Sequence, residues 1–225
     1  MPNQIFDHLV SVHGTINTRW QPIHVWLVQR RGWSQPVMRL ATLITILILV
    51  SATIVYLVGP KHYYLVSQLG VKSADVAVIL YIGSLIPGIL KRLDILAMPR
   101  ASMMMFRREL GDLAFLAGMT HGLLVRLLPK FLSPVLIGAI PPLPELIGLL
   151  ALIVLIPLYA TSNDFMIAKL GIWWSRIHRL TYLALGLLIF HTAWFSFQIS
   201  LLLVFVGIIE IASYTKNTWI KYLPK

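Results

Sequence analysis

The chain has 225 residues, 58% of them hydrophobic, no cysteine and a formal charge of +11, with a mean hydropathy of +0.80. Soluble domains are about 45–50% apolar, so this composition points to a membrane protein. The missing thiols exclude disulfides, thiolate zinc, iron–sulfur clusters and covalently attached CxxCH-type haem. The basic residues lie in the gaps between apolar runs rather than on one amphipathic face, which argues against a nucleic-acid partner.

Residues 1–36 show neither an apolar signal-peptide core nor a small-residue cleavage site, so targeting is expected from the later spans. Trp20 and Trp26 beside Arg19 and Arg30 suit a segment lying at the headgroups. The spacing of His8, His13 and His24 matches no standard metal site, and interfacial packing is the expected role. The first span is predicted over 37–58 and closed by Gly59-Pro60. Ser73 is the expected N-cap of a second span, 74–96, with Asp75 in its first turn and a kink at Pro87-Gly88. After the most basic loop, 91–108, a third span over 108–128 carries His121. The proline-rich PKFLSPVLIGAIPPLPE leads to a fourth span, 144–160, with Pro144 and Glu145 in its first turn. The loop TSNDFMIAKLGI precedes a fifth span, 173–195, with His178 and His191, and the sixth runs over about 199–214. The expected organisation is an interfacial or cytoplasmic segment 1–36, a six-helix domain 37–214 and a short basic cytoplasmic tail 215–225, with no soluble domain at either end.

Of the 19 Lys and Arg residues, all but Lys61, Lys72, Arg126 and Lys130 fall on one side of this topology. The positive-inside rule therefore places both termini in the cytoplasm. Spans three and five then run outward in parallel. His121 lies 13 residues beyond Arg108 and His191 lies 15 beyond Arg176, so both imidazoles stand about 20 Å above a cytoplasmic arginine level.

Imidazoles inside hydrocarbon are costly unless partnered and mark functional sites. A hydrogen bond across the bundle contributes only about 0.6 kcal/mol on average, weak compensation for burying the pair. Two histidines at one depth on parallel helices suit the axial positions of a haem iron. A bound divalent ion fits less well, since no carboxylate lies near that depth. Gly118, Gly122 and Gly186 near these histidines suit either close approach of a flat macrocycle or tight helix packing.

His178 lies near the cytoplasmic face, where span three offers Arg107 and Arg108 instead of histidine. Thirteen residues turn an ideal helix about 220° past whole turns, so His178 and His191 face apart unless a π-bulge intervenes. Three roles stay open for His178: ligand of a second haem, hydrogen-bond donor to a propionate, or interfacial residue. Arg107, Arg108, Arg176 and Arg179 form an expected cationic ring for propionates, for inner-leaflet lipid, or for both, with Arg108–Asp112 as a local i,i+4 pair. Glu210 is expected at the interface near the cytoplasmic end of span six.

The segments RRELGDLAFLAGMTHGLL, GLLALIVLIPLYATS and LGIWWSRIHRLTYLALGLLIFHTAW resemble the ferric reductase-like transmembrane domain family, closest to its YedZ/MsrQ haem-binding branch. The matching positions are Arg107, Arg108, Leu110, Gly111, Ala114, Phe115 and His121, then Pro157, Leu158, Thr161 and Ser162. They continue with Leu170, Gly171, Trp174, His178, Arg179, Leu180, Tyr182, Leu183 and His191. The resemblance covers about 74–195. It implies an all-α integral membrane bundle of six helices with haem b between helices 3 and 5, in a bacterial inner membrane. His121 and His191 are then the haem-iron ligands, and His178 belongs to a second haem if there is one. Larger relatives carry two stacked haems, whereas here arginine stands where the first span-three histidine would be. The branch serves a periplasmic molybdenum-containing methionine sulfoxide reductase and generally lacks a segment like 1–36.

The expected function is an electron-transfer subunit rather than a complete enzyme. Electrons would come from a cytosolic flavin reductase or quinol, with FMN or quinone as further cofactors, and pass to an outer-side reductase subunit or acceptor. A stand-alone ferric or quinone reductase and a non-catalytic structural subunit are the alternatives, because a shared fold does not fix function.

Overall fold

The computed structural model describes residues 2–58, 63–132 and 141–222, and among these every regular element is helical. The Gly59-Pro60 terminator, part of the proline-rich turn and the last three residues of the tail lie outside the described residues. In chain order the elements are α1 (Pro2–Gln29), a 3-10 turn (Arg31–Trp33), α2 (Ser34–Val58), α3 (Tyr63–Leu93) and α4 (Ala97–Met105). Then come α5 (Arg107–Gly122), a π-helical turn (Leu123–Leu127), α6 (Leu128–Leu132) and α7 (Leu143–Ala160). The chain continues through α8 (Asp164–Leu170), α9 (Ile172–His178), α10 (Leu180–Phe195) and α11 (Phe197–Tyr222).

Among the described residues, five helical stretches are long and apolar enough to cross a bilayer: Arg31–Val55, Tyr64–Leu93, Arg107–Lys130, Leu143–Ala160 and Phe197–Thr215. They coincide with five of the six expected spans. The other, 173–195, is divided at Arg179 into α9 and α10. With 16 residues, α10 is about 24 Å long, less than the roughly 30 Å apolar core of a bilayer.

Helix α3 starts well before Ala74. Ser73 is not an N-cap; it lies inside the helix with its hydroxyl donating to the Gly70 carbonyl at 2.7 Å. Asp75 pairs instead with Lys72, 3.6 Å away. The local capping signal loses because no proline lies between Tyr63 and Ser73 to stop the helix. Pro87 sits within α3, and one turn earlier the Ser84 carbonyl accepts a bond from Arg107 Nε at 3.0 Å. Such side-chain bonds to backbone make proline tolerable in membrane helices.

The basic loop contains α4, reached through Asp94 and Leu96 in the left-handed region (φ 52° and 50°). Helix α1 lies against α4: Ser102 Oγ donates to the Met98 carbonyl and accepts from Trp20 Nε1 (3.0 Å) and His24 Nδ1 (2.9 Å). Segment 1–36 is thus mostly helix, tied to the 91–108 connection.

Contacts run α3 to α5, α5 to α7, α7 to α10, α10 to α11 and α11 back to α3, closing a ring, with α2 outside against α5. The main core joins Val78, Tyr81 and Leu85 of α3 to Ala114, Ala184, Leu185 and Leu203. Glu210 is buried among the helices, in an ion pair with Arg92 at the end of α3. Arg92 Nε also donates to Ser213 at 2.7 Å. Removing one partner of a buried pair strands the other charge at a cost of about 3–5 kcal/mol. Arg92→Leu is therefore expected to lower the thermal midpoint markedly, and Arg92→Leu with Glu210→Leu to recover most of the loss, as read by thermal unfolding in detergent.

Candidate functional site

Helices α5 and α10 bring His121 and His191 together inside the ring. Their imidazole centroids are 6.2 Å apart, with ring planes at 65°. His121 Nδ1 lies 3.0 Å from the Gly70 carbonyl and His191 Nδ1 lies 2.8 Å from the Pro144 carbonyl. A carbonyl only accepts, so each Nδ1 carries the proton and each Nε2 keeps its lone pair. Fixing the tautomer through Nδ1–H is how proteins orient a metal-binding imidazole.

Two glycines make these anchors reachable. A Cβ on Gly148 would stand 2.6 Å from both Cε1 and Nδ1 of His191, so the ring packs directly on the α7 backbone. A Cβ on Gly70 would stand 2.6 Å from Val125 Cγ2, so α3 approaches the π-turn closely enough to offer its carbonyl to His121. Gly118 and Gly122 face Leu152 of α7, at 3.4 and 2.7 Å from their ideal Cβ positions. This is tight helix packing, one of the two roles expected of them. Gly186 has nothing within 4 Å of its ideal Cβ.

His178 stands elsewhere. Thr161 Oγ1 donates to the Pro157 carbonyl at 2.7 Å and so accepts from His178 Nε2, 3.2 Å away. Trp174 stacks on the His178 ring at 4.1 Å and donates its Nε1–H to the Thr161 carbonyl at 3.1 Å. Asn163 caps α8 by accepting from Met166 N. The Pro157, Thr161, Trp174 and His178 positions therefore form one hydrogen-bonded knot that fastens the end of α7 to α9. The π-turn imagined between His178 and His191 occurs instead just after His121.

Three of the four arginines have separate partners. Arg107 caps the Ser84 carbonyl, and Arg176 lies over the Trp173 ring at 4.5 Å. Arg108 pairs with Asp164 at 2.5 Å rather than with Asp112, whose carboxylate is bonded by Ser162. Arg179 is exposed. A cation not singled out from the sequence lies five residues beyond His121: Arg126, in the π-turn, whose Nε is 2.8 Å from Glu145 Oε2. Lone glycines inside apolar runs were the only available signal for Gly70 and Gly148.

A profile of the ferric reductase like transmembrane component family matches residues 69–189. The chain belongs to this family. As a ferric reductase-like protein with several apolar helices, it is a multi-pass membrane protein. It is 43% identical over 79 residues to the protein-methionine-sulfoxide reductase heme-binding subunit MsrQ of Rhizobium meliloti, covering 34% of this chain and 37% of that relative. It is 37% identical over 87 residues to the subunit of the same name from Brucella ovis, covering 38% of this chain and 40% of the relative. The matched region thus spans about two-fifths of the curated relatives, as those shares show. No solved structure matches the chain.

Proposed function

We propose that this chain is the haem b-binding electron-transfer subunit of a membrane reductase system. The haem iron is held between His121 and His191 in a six-span bundle with both termini in the cytoplasm. Helices α9 and α10 together supply the sixth span. The observation that carries this reading is the pair of imidazoles with carbonyl-anchored Nδ1 atoms and centroids 6.2 Å apart. Two metal–nitrogen bonds of about 2 Å, plus the distance from each nitrogen to its ring centre, require roughly 6 Å. Haem supplies one-electron chemistry, with a potential set by its ligands and surroundings. The chain's own task is to hold and orient the group and to keep water from it. The relatives' printed names, heme-binding subunits of a protein-methionine-sulfoxide reductase, support haem binding and a reductase partner; the outer side of a bacterial inner membrane is where the proposed topology puts that partner. His178, with Nε2 given to Thr161, belongs to the cytoplasmic knot, and one haem is the expected number. The purified protein should show a dithionite-reducible Soret and α-band at one haem per chain, unchanged in number by His178→Ala. Absence of these bands from the wild type would sink the reading.

A quinol donor, rather than a flavoprotein, is favoured by an apolar cavity of about 360 Å³ between α1, the 3-10 turn, α2 and α5. Trp26, Trp33, Phe106 and Leu113 line it together with Glu109, one of whose oxygens is buried without a hydrogen-bond partner. A flat hydroquinone ring matches so apolar a lining, and the Glu109 carboxylate would accept its O–H on turning toward the cavity. Glu109→Gln should slow reduction by a short-chain quinol by roughly 10²-fold, the low end for a positioned proton acceptor. Dithionite reduction should be untouched, and equal quinol rates in stopped-flow would remove this donor site.

A further inference from the structure

We infer that the Arg126–Glu145 ion pair is the positioning element of the haem site proposed above, on which this inference rests, and a determinant of its redox potential. The pair joins the two structural turns that set the histidines. Arg126 lies five residues beyond His121, within the π-turn Leu123–Leu127. Glu145 directly follows Pro144, whose carbonyl holds His191 Nδ1 at 2.8 Å. The contact between Arg126 Nε and Glu145 Oε2, 2.8 Å, therefore braces the turn after one histidine against the anchor of the other.

The π-turn is what permits this. In an ideal α-helix, residues five apart point about 140° away from each other. A π-turn, bonded i to i+5, brings such residues nearly above one another, and these turns concentrate at functional sites. Arg126 is thereby turned toward the side that His121 occupies, only about 7 Å further along the axis. Arg108 is 13 residues away in the other direction, or about 20 Å, and is paired with Asp164. Both partners of the Arg126 pair are only partly exposed, with 20% and 29% of their side chains accessible, so solvent screens the pair less than a surface bridge.

The electrostatic sign follows directly. Reduction adds one electron to the site, so a nearby net positive charge favours the reduced form and a net negative charge opposes it. The intact pair is neutral. Neutralising the carboxylate alone leaves the guanidinium, and neutralising the guanidinium alone leaves the carboxylate.

The test is spectroelectrochemical titration of the purified haem-loaded protein, with low-spin EPR on the same samples. Glu145→Gln should raise the midpoint potential and Arg126→Met should lower it. Each should shift the EPR g-values and weaken haem retention by roughly tenfold, the low end for losing a group that orients a metal ligand. The swapped double variant Arg126→Glu with Glu145→Arg should recover haem content and return the potential toward wild type. Unchanged potentials and g-values in both single variants, or shifts of the same sign, would overturn the inference. If either single variant is isolated without haem, the swap decides: haem in the swap supports the pair, and none overturns it. A wild type that binds no haem removes the functional reading itself, whereas a haem-loaded wild type with indifferent variants removes only this inference.

Discussion

His121→Ala and His191→Ala are each expected to yield protein that is helical and membrane-inserted but lacks the reducible b-type spectrum, while His178→Ala keeps it. Each imidazole of the pair is held by a backbone carbonyl, Gly70 for His121 and Pro144 for His191, and alanine removes the Nε2 that this bond leaves free to ligate. Losing a direct ligand costs more than the roughly 10–100-fold in affinity that follows loss of a group merely orienting one. Inspection of the fold by circular dichroism separates ligand loss from unfolding. Added imidazole should restore part of the Soret band in the alanine variants by occupying the space left. A wild-type spectrum in either alanine variant would remove that histidine from the iron. For His178→Ala the expected loss is of a different kind. Its ring stacks on Trp174 and donates to Thr161, so the change should loosen the α7–α9 connection and lower the thermal midpoint without altering haem number.

The histidine pair was legible because depth in a membrane can be counted from charged residues at its face. His121 and His191 lie at matching distances from Arg108 and Arg176, and the structure places them ring to ring. Their anchors were not legible, since a carbonyl of Gly70 or Pro144 belongs to the backbone and leaves no mark in the side-chain pattern. Long-range competition also overrode local signals. Arg108 finds Asp164, 56 positions away, instead of Asp112 one turn along. Ser73 and Asp75 read as a helix start, yet the helix runs through from Tyr63. The break at Arg179 falls in a stretch without proline or glycine. There the knot of Thr161, Trp174 and His178 fixes α9, and α10 starts anew. A π-turn between His178 and His191 would bring those two histidines toward one face. The π-turn occurs after His121, where it turns Arg126 toward Glu145.

Gly148→Ala should weaken haem binding even though helix propensity favours alanine. Glycine within a helix costs about 1 kcal/mol relative to alanine, so on propensity alone α7 gains from the change. The added methyl, however, would lie 2.6 Å from Cε1 and Nδ1 of His191 and 3.2 Å from its Cγ. An aromatic ring cannot fold away as a flexible chain end can, and the α7 backbone behind the methyl is fixed by its own hydrogen bonds. The imidazole must therefore withdraw, stretching its 2.8 Å bond to the Pro144 carbonyl and changing its spacing from His121. The expected outcome is an apoprotein with a thermal midpoint no higher than wild type, because the clash and the stretched bond offset the propensity gain, and a haem affinity lower by roughly 10–100-fold. Gly111→Ala supplies the control, because nothing lies within 4 Å of its ideal Cβ. That variant should show the propensity gain in stability and keep the wild-type spectrum. If Gly148→Ala also kept the wild-type haem affinity and spectrum, the close packing of His191 on α7 would not be what sets the ligand geometry.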